Sequence, residues 1–118
     1  MNVLVIGASE NPERYANKAI KKLLENNHTV FAIASRPGES QGIEFLTGFP
    51  ELKDIHTVTL YINKEIQKNY YDYILQLKPK RVIFNPGTEN ESFYNLLKNN
   101  NIQPVEACTL VMLSIGNF

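Results

Sequence analysis

The chain is poor in the residues that build most recognisable chemical sites. It has one cysteine, Cys108, and no tryptophan. A lone cysteine closes no internal disulfide, so the expected setting is the reducing cytoplasm. Twelve basic residues balance twelve acidic ones, which argues against a duplex nucleic-acid partner, since such binders carry a basic excess. The longest apolar runs, Val3 to Ile6 and Leu110 to Leu113, are far too short to cross a bilayer, and the start of the chain has no charged leader; no membrane partner is expected. CxxC, HExxH and GxSxG are all absent, and the two histidines, His28 and His56, stand far apart. A metal site is therefore not expected. Cys108 has no histidine at a meaningful spacing and reads as a small buried hydrophobe. There are no repeats, low-complexity tracts or linkers.

What is present is an alternation. Val3 to Ile6 is a continuous apolar run ending at Gly7, which suits a strand buried on both faces. Ala16, Ala19, Ile20, Leu23 and Leu24 follow at helical spacing, with lysines on the other side. Asn26 and Asn27 close that helix, because asparagine tolerates a left-handed terminus. Its start falls either at an Asn11-Pro12 cap or as late as Tyr15. Strands are predicted over 30–34, 43–46, 57–62, 81–84 and 102–105, the last at a sheet edge because Pro104 has no amide to donate. Ile66, Tyr70, Tyr73, Ile74 and Leu77 form a second helical stripe, stopped by Pro79. Thr88 and Glu91 match a capping box opening a third helix, with Phe93, Leu96 and Leu97 inward. Cys108 to Ile115 is predicted to be a terminal helical turn.

Strand–helix–strand units with short connections and right-handed crossovers predict an α/β, Rossmann-like open parallel β-sheet flanked by helices on both faces. One domain spans 1–118, with strand order 3-2-1-4-5 and the reversal beside the first strand. The residues with no evident packing role then gather at one rim. Gly7-Ala8-Ser9 follow the first strand, Ser35-Arg36 the second, Asn63 the fourth, and Asn85-Pro86-Gly87-Thr88 the fifth. In an open parallel sheet all of these lie at the carboxyl edge, where such folds bind ligands.

The first loop has the character of an anion site. Gly7 permits a sharp turn, Ser9 supplies a hydroxyl, the first helix presents its positive end, and Arg14 adds a forked charge. An NAD site would carry further glycines two and five residues after Gly7 and an acidic residue after the second strand. Ser9, Pro12 and Ser35-Arg36 occupy those places. Arg36 is either a solvated loop residue or the partner of a ribose-attached phosphate, as in NADP or the 3′-phospho-ADP of coenzyme A. Asn85-Pro86-Gly87 is either a good turn or a second ligand loop.

These stretches together resemble a known family. "VLVIGASENPERYANKAIKKLLENNHTVFAI", "SRPGESQGIEFLTGFPEL" and "RVIFNPGTENESF…VEACTLVML" are similar to the small single-domain CoA-binding proteins, whose fold is akin to the nucleotide-binding domain of the succinyl-CoA synthetase α subunit. The resemblance implies that Gly7, Ala8, Ser9 and Arg14 meet CoA phosphate, that Ser35 and Arg36 meet the ADP end, and that Asn85, Pro86 and Gly87 approach the ligand. Many relatives carry Asn-Pro where this chain has Ser35-Arg36-Pro37. Nothing here matches the synthetase domain that bears a phosphorylated histidine, so ligase activity is not implied. The expected protein is a non-catalytic, cytoplasmic binder of CoA or acyl-CoA. The alternatives are an NAD(P)-binding protein and a small acyl-CoA-using enzyme drawing on Cys108 or Tyr61.

Overall fold

The computed structural model describes residues 1–118. Seven strands form one sheet: β1 Asn2–Ile6, β2 Thr29–Ile33, β3 Glu39–Ser40, β4 Ile43–Leu46, β5 Thr57–Leu60, β6 Arg81–Phe84 and β7 Gln103–Glu106. Their order is β3-β4-β2-β1-β5-β6-β7. Every pairing is parallel except β3 with β4. The predicted Rossmann-like architecture and its reversal beside β1 are therefore found. The two-residue β3, an antiparallel addition at the rim, was not predicted.

Side-chain alternation explains why β1 reads as one apolar run. Val3 and Val5 face one core with α1 (Tyr15–Glu25), while Leu4 and Ile6 face the other with α3 (Tyr71–Leu77) and α4 (Glu91–Asn99). Both sets are buried, so neither face tolerates a polar residue. The α1 side is closed by Ala16, Ile20 and Leu23, joined by Leu113 of α5 (Thr109–Ser114). Ile74, Phe93 and Leu97 cover the opposite side. Pro104 sits in β7, which pairs only with β6. The missing amide thus stands at an edge, as expected.

Two local expectations need correction, and one open choice is settled. The helix over 66–77 is broken into α2 (Lys64–Gln67), a 3-10 turn at Lys68–Tyr70, and α3. Ile66, assigned to the buried stripe, is 43% exposed, and Gln67 is buried in its place. Gln67 earns burial by polar bonds: its Nε2 donates to the carbonyls of Ile62 and Thr88, and its Oε1 accepts from Asn90. Apolar spacing cannot register such a bridge. The cap of α4 is Asn90 rather than Thr88: Asn90 Oδ1 accepts from the Phe93 amide at 3.1 Å, whereas Thr88 Oγ1 donates to the Asn85 carbonyl. Finally, α1 begins at Tyr15, the later of the two expected starts. Asn11 forms a turn ahead of it, accepting from the amides of Glu13 and Arg14. At the other end of α1, Asn27 adopts φ 65° as its role in closing the helix requires.

Candidate functional site

Parallel pairing of β1, β2, β5 and β6 brings their following loops to one rim. Three cavities run along it. A central one of about 420 Å³ lies between the Gly7–Ala16 segment, Tyr61–Asn63 and Pro86–Thr88. A second, about 300 Å³, lies between Ala8–Asn11 and Ala34–Pro37 and shares Ser9 with the first. A third, about 400 Å³, shares Tyr15, Tyr61 and Pro86 with the central cavity and continues to Cys108, Leu110 and Val111. The three form one trough, polar at the Arg36 end and apolar at the Cys108 end.

The first loop is held by its own hydrogen bonds. The amides of Gly7 and Ala8 both donate to the Ile33 carbonyl, at 2.9 and 3.0 Å. Ser9 Oγ accepts from the Asn11 amide, and the Ser9 carbonyl accepts from Asn17 Nδ2, which also donates to Ser40 Oγ. These bonds fix the loop and leave a particular set of donors. The amides of Ser9, Glu10, Tyr15 and Ala16 have no protein acceptor. The donors open to an anion are therefore those flanking the turn and at the start of α1, and Gly7 and Ala8 serve to shape it.

Arg14 lines the central cavity and Arg36 the second; both are exposed and neither is ion-paired. Ser35 is exposed beside Arg36. Glu10, which the sequence did not single out, lines the second cavity too. Its carboxylate accepts from the Glu39 amide at 3.1 Å and lies so close to Gly38 that a Cβ there would meet it at 2.7 Å. Glu10 thus fastens the first loop to the β2–β3 connection. Its spacing carries no motif, so nothing in the sequence signals it.

The third loop divides into buried and exposed parts. Asn85 is buried, and its amide group is consumed by structure. Nδ2 donates to Thr59 Oγ1 and the Leu60 carbonyl, and Oδ1 accepts from the Thr109 amide. It joins β5, β6 and α5. Pro86 and Gly87 are exposed on the central cavity, and the Gly87 amide donates to the Glu89 carboxylate. Thr88, also on that wall, is buried.

Tyr61 sits where the central and apolar cavities meet. Burial pushes its phenol up to about 12, with the Thr59 and Thr109 hydroxyls pulling the other way. Those hydroxyls bond each other at 2.9 Å, and the Tyr61 oxygen is sealed beside them. No group of three or more His, Cys, Asp or Glu side chains is arranged to hold a metal ion, and no helix is long and apolar enough to cross a membrane.

A family model, the CoA binding domain, matches residues 1–114. Among solved structures, an uncharacterised protein is 46% identical, with 99% of this chain and 97% of that chain covered and a TM-score of 0.97. A protein from Thermus thermophilus is 22% identical, covering 99% and 90% at a TM-score of 0.87. A hypothetical protein from Pyrococcus horikoshii OT3 is 23% identical, covering 96% and 81% at a TM-score of 0.86. The last two attest the fold. No curated protein matches the chain.

Proposed function

The chain belongs to the CoA-binding domain family, and from that premise we propose that it holds CoA or an acyl-CoA along the trough at the carboxyl edge of the sheet. The diphosphate is placed against the free Ser9 and Glu10 amides, the start of α1 and Arg14. Arg36, in the second cavity, faces the phosphate on the ribose. Pro86 and Gly87 flank the pantetheine, which runs past Tyr61 into the apolar cavity. The observation that carries this reading is the polarity of the trough: two unpaired arginines and free amides at one end, an apolar chamber at the other. A phosphorylated nucleotide joined to a long, weakly polar arm has the same polarity.

The reading is of a binder without turnover of the thioester. In support, Asn85, the amide side chain on the wall of the apolar chamber, is engaged in joining β5, β6 and α5. The loop after β2 supports CoA over NAD, because the exposed Arg36 stands where a ribose-gripping carboxylate would. Calorimetry with CoA, dephospho-CoA, NAD and NADP tests the assignment. Tightest binding of CoA is the expected result; equal or absent binding across all four removes it.

A further inference from the structure

The apolar end of the trough is a chamber of about 400 Å³, close in volume to the central cavity of about 420 Å³ onto which it opens. Tyr15, Tyr61, Leu110 and Val111 form much of its wall, and none of the residues lining it is charged. Asn85 on that wall gives its amide hydrogens to Thr59 and Leu60. Tyr15 and Val111 are two of the six large apolar side chains left exposed on the whole surface, at 69% and 54%. An apolar group placed between them would displace water from both. The charges just beyond the chamber are acidic. Glu89 and Glu106 line a small cavity that shares Pro86 and Cys108 with it, and neither is ion-paired. The Lys18 ammonium stands 5.7 Å from the Tyr15 ring centroid, outside the lining.

Resting on the CoA reading above, we propose that this chamber is an acyl site, and that the protein binds a CoA thioester with a neutral aliphatic acyl group in preference to free CoA and to thioesters ending in a carboxylate. A bare thiol at the end of the pantetheine leaves the Tyr15 and Val111 faces wet. An alkyl chain covers them, and each methylene buried there tightens binding by up to about four-fold. A terminal carboxylate in the same place loses its water, finds no cationic side chain on the wall, and approaches Glu89 and Glu106. The chamber therefore selects twice: the apolar wall selects for the chain, and the neighbouring acids select against a charge at its end.

The test is calorimetry of the full chain with CoA, butyryl-CoA and succinyl-CoA, the last two having acyl chains of the same length. Butyryl-CoA is expected to bind at least about ten-fold tighter than CoA and at least about ten-fold tighter than succinyl-CoA. Val111→Lys brings a cation to the wall from an exposed position on α5, and should lower the butyryl-to-succinyl preference by about ten-fold. The comparison of the three ligands uses unmodified protein and does not depend on the variant folding. Butyryl-CoA binding no tighter than CoA, succinyl-CoA binding as tightly as butyryl-CoA, or a folded Val111→Lys protein with the preference unchanged, overturns the inference where CoA itself binds. Absence of binding by all three ligands overturns the underlying CoA assignment instead.

Discussion

Gly7 and the carbonyl of Tyr61 are in direct contact. A Cβ on Gly7 would lie 2.8 Å from that oxygen and 2.9 Å from its carbon, and Gly7 has φ +98°. The glycine at the end of β1 is therefore fixed by the neighbouring strand end as well as by its turn. The Tyr61 amide returns a 2.8 Å bond to the Ile6 carbonyl, which holds the ends of β1 and β5 together where a methyl group would need space.

Gly7→Ala and Gly87→Ala separate these two constraints. Gly87 has φ +92° with nothing within 4 Å of its would-be Cβ, so alanine there meets backbone strain alone, about 1–2 kcal/mol. Alanine at Gly7 meets strain and a backbone collision, and its cost should exceed about 3 kcal/mol. Urea denaturation of both variants measures the difference. Equal losses would show that β1 and β5 yield at their ends.

Asn85 lines the apolar cavity, and its side chain joins three elements. Asn85→Ala leaves the buried Thr109 amide and Leu60 carbonyl without those partners, and should lower stability by about 3 kcal/mol. The readout is the denaturation midpoint with unchanged slope. A loss below about 1 kcal/mol would mean that water replaces the amide.

Arg36 has no ion-pair partner, and its charge is available to a phosphate. Arg36→Ala is expected to weaken CoA about ten-fold and dephospho-CoA by less than about three-fold in calorimetry. Equal weakening of both would detach Arg36 from the ribose phosphate.

The amino edge of the sheet gives a pH dependence that is independent of any ligand. His28 is held below its usual 6.5 by burial, then by the nearby N-terminus, whose amine lies 3.3 Å from Nδ1. His56 is lowered by burial, then by the Arg81 charge. A histidine with a depressed folded-state pKa takes up its proton more readily when unfolded. Its contribution to stability is full above about pH 6.5 and falls as the pH drops below that value. The melting temperature should therefore decline between about pH 7 and 5, and the double variant His28→Gln/His56→Gln should flatten that decline. A decline of the same slope in the variant would assign it to carboxylates.

Much of this was legible in the sequence because the strands are buried on both faces. A run such as Val3 to Ile6 has no polar alternative, and the order of such runs fixes the sheet. Turn residues likewise announced the loops of the carboxyl edge. What escaped the sequence is largely the work of polar side chains that form bonds distant in sequence. Gln67 bridging to Thr88, Glu10 reaching Glu39, and Asn85 tied to Thr109 span 21, 29 and 24 positions, beyond any local pattern. The predicted cap moved from Thr88 to Asn90 through local bonds instead, Thr88 to the Asn85 carbonyl and the Phe93 amide to Asn90. The Gly7 and Ala8 amides turn toward the Ile33 carbonyl through backbone bonds that no side-chain pattern announces.

The most direct test is a crystal structure of the protein grown with CoA. The account predicts the diphosphate within hydrogen-bonding distance of the Ser9 or Glu10 amides, the ribose phosphate beside Arg36, and the pantetheine passing Tyr61 toward Cys108. CoA bound at another face, or lying in the trough with its thiol beside Arg36, would contradict it.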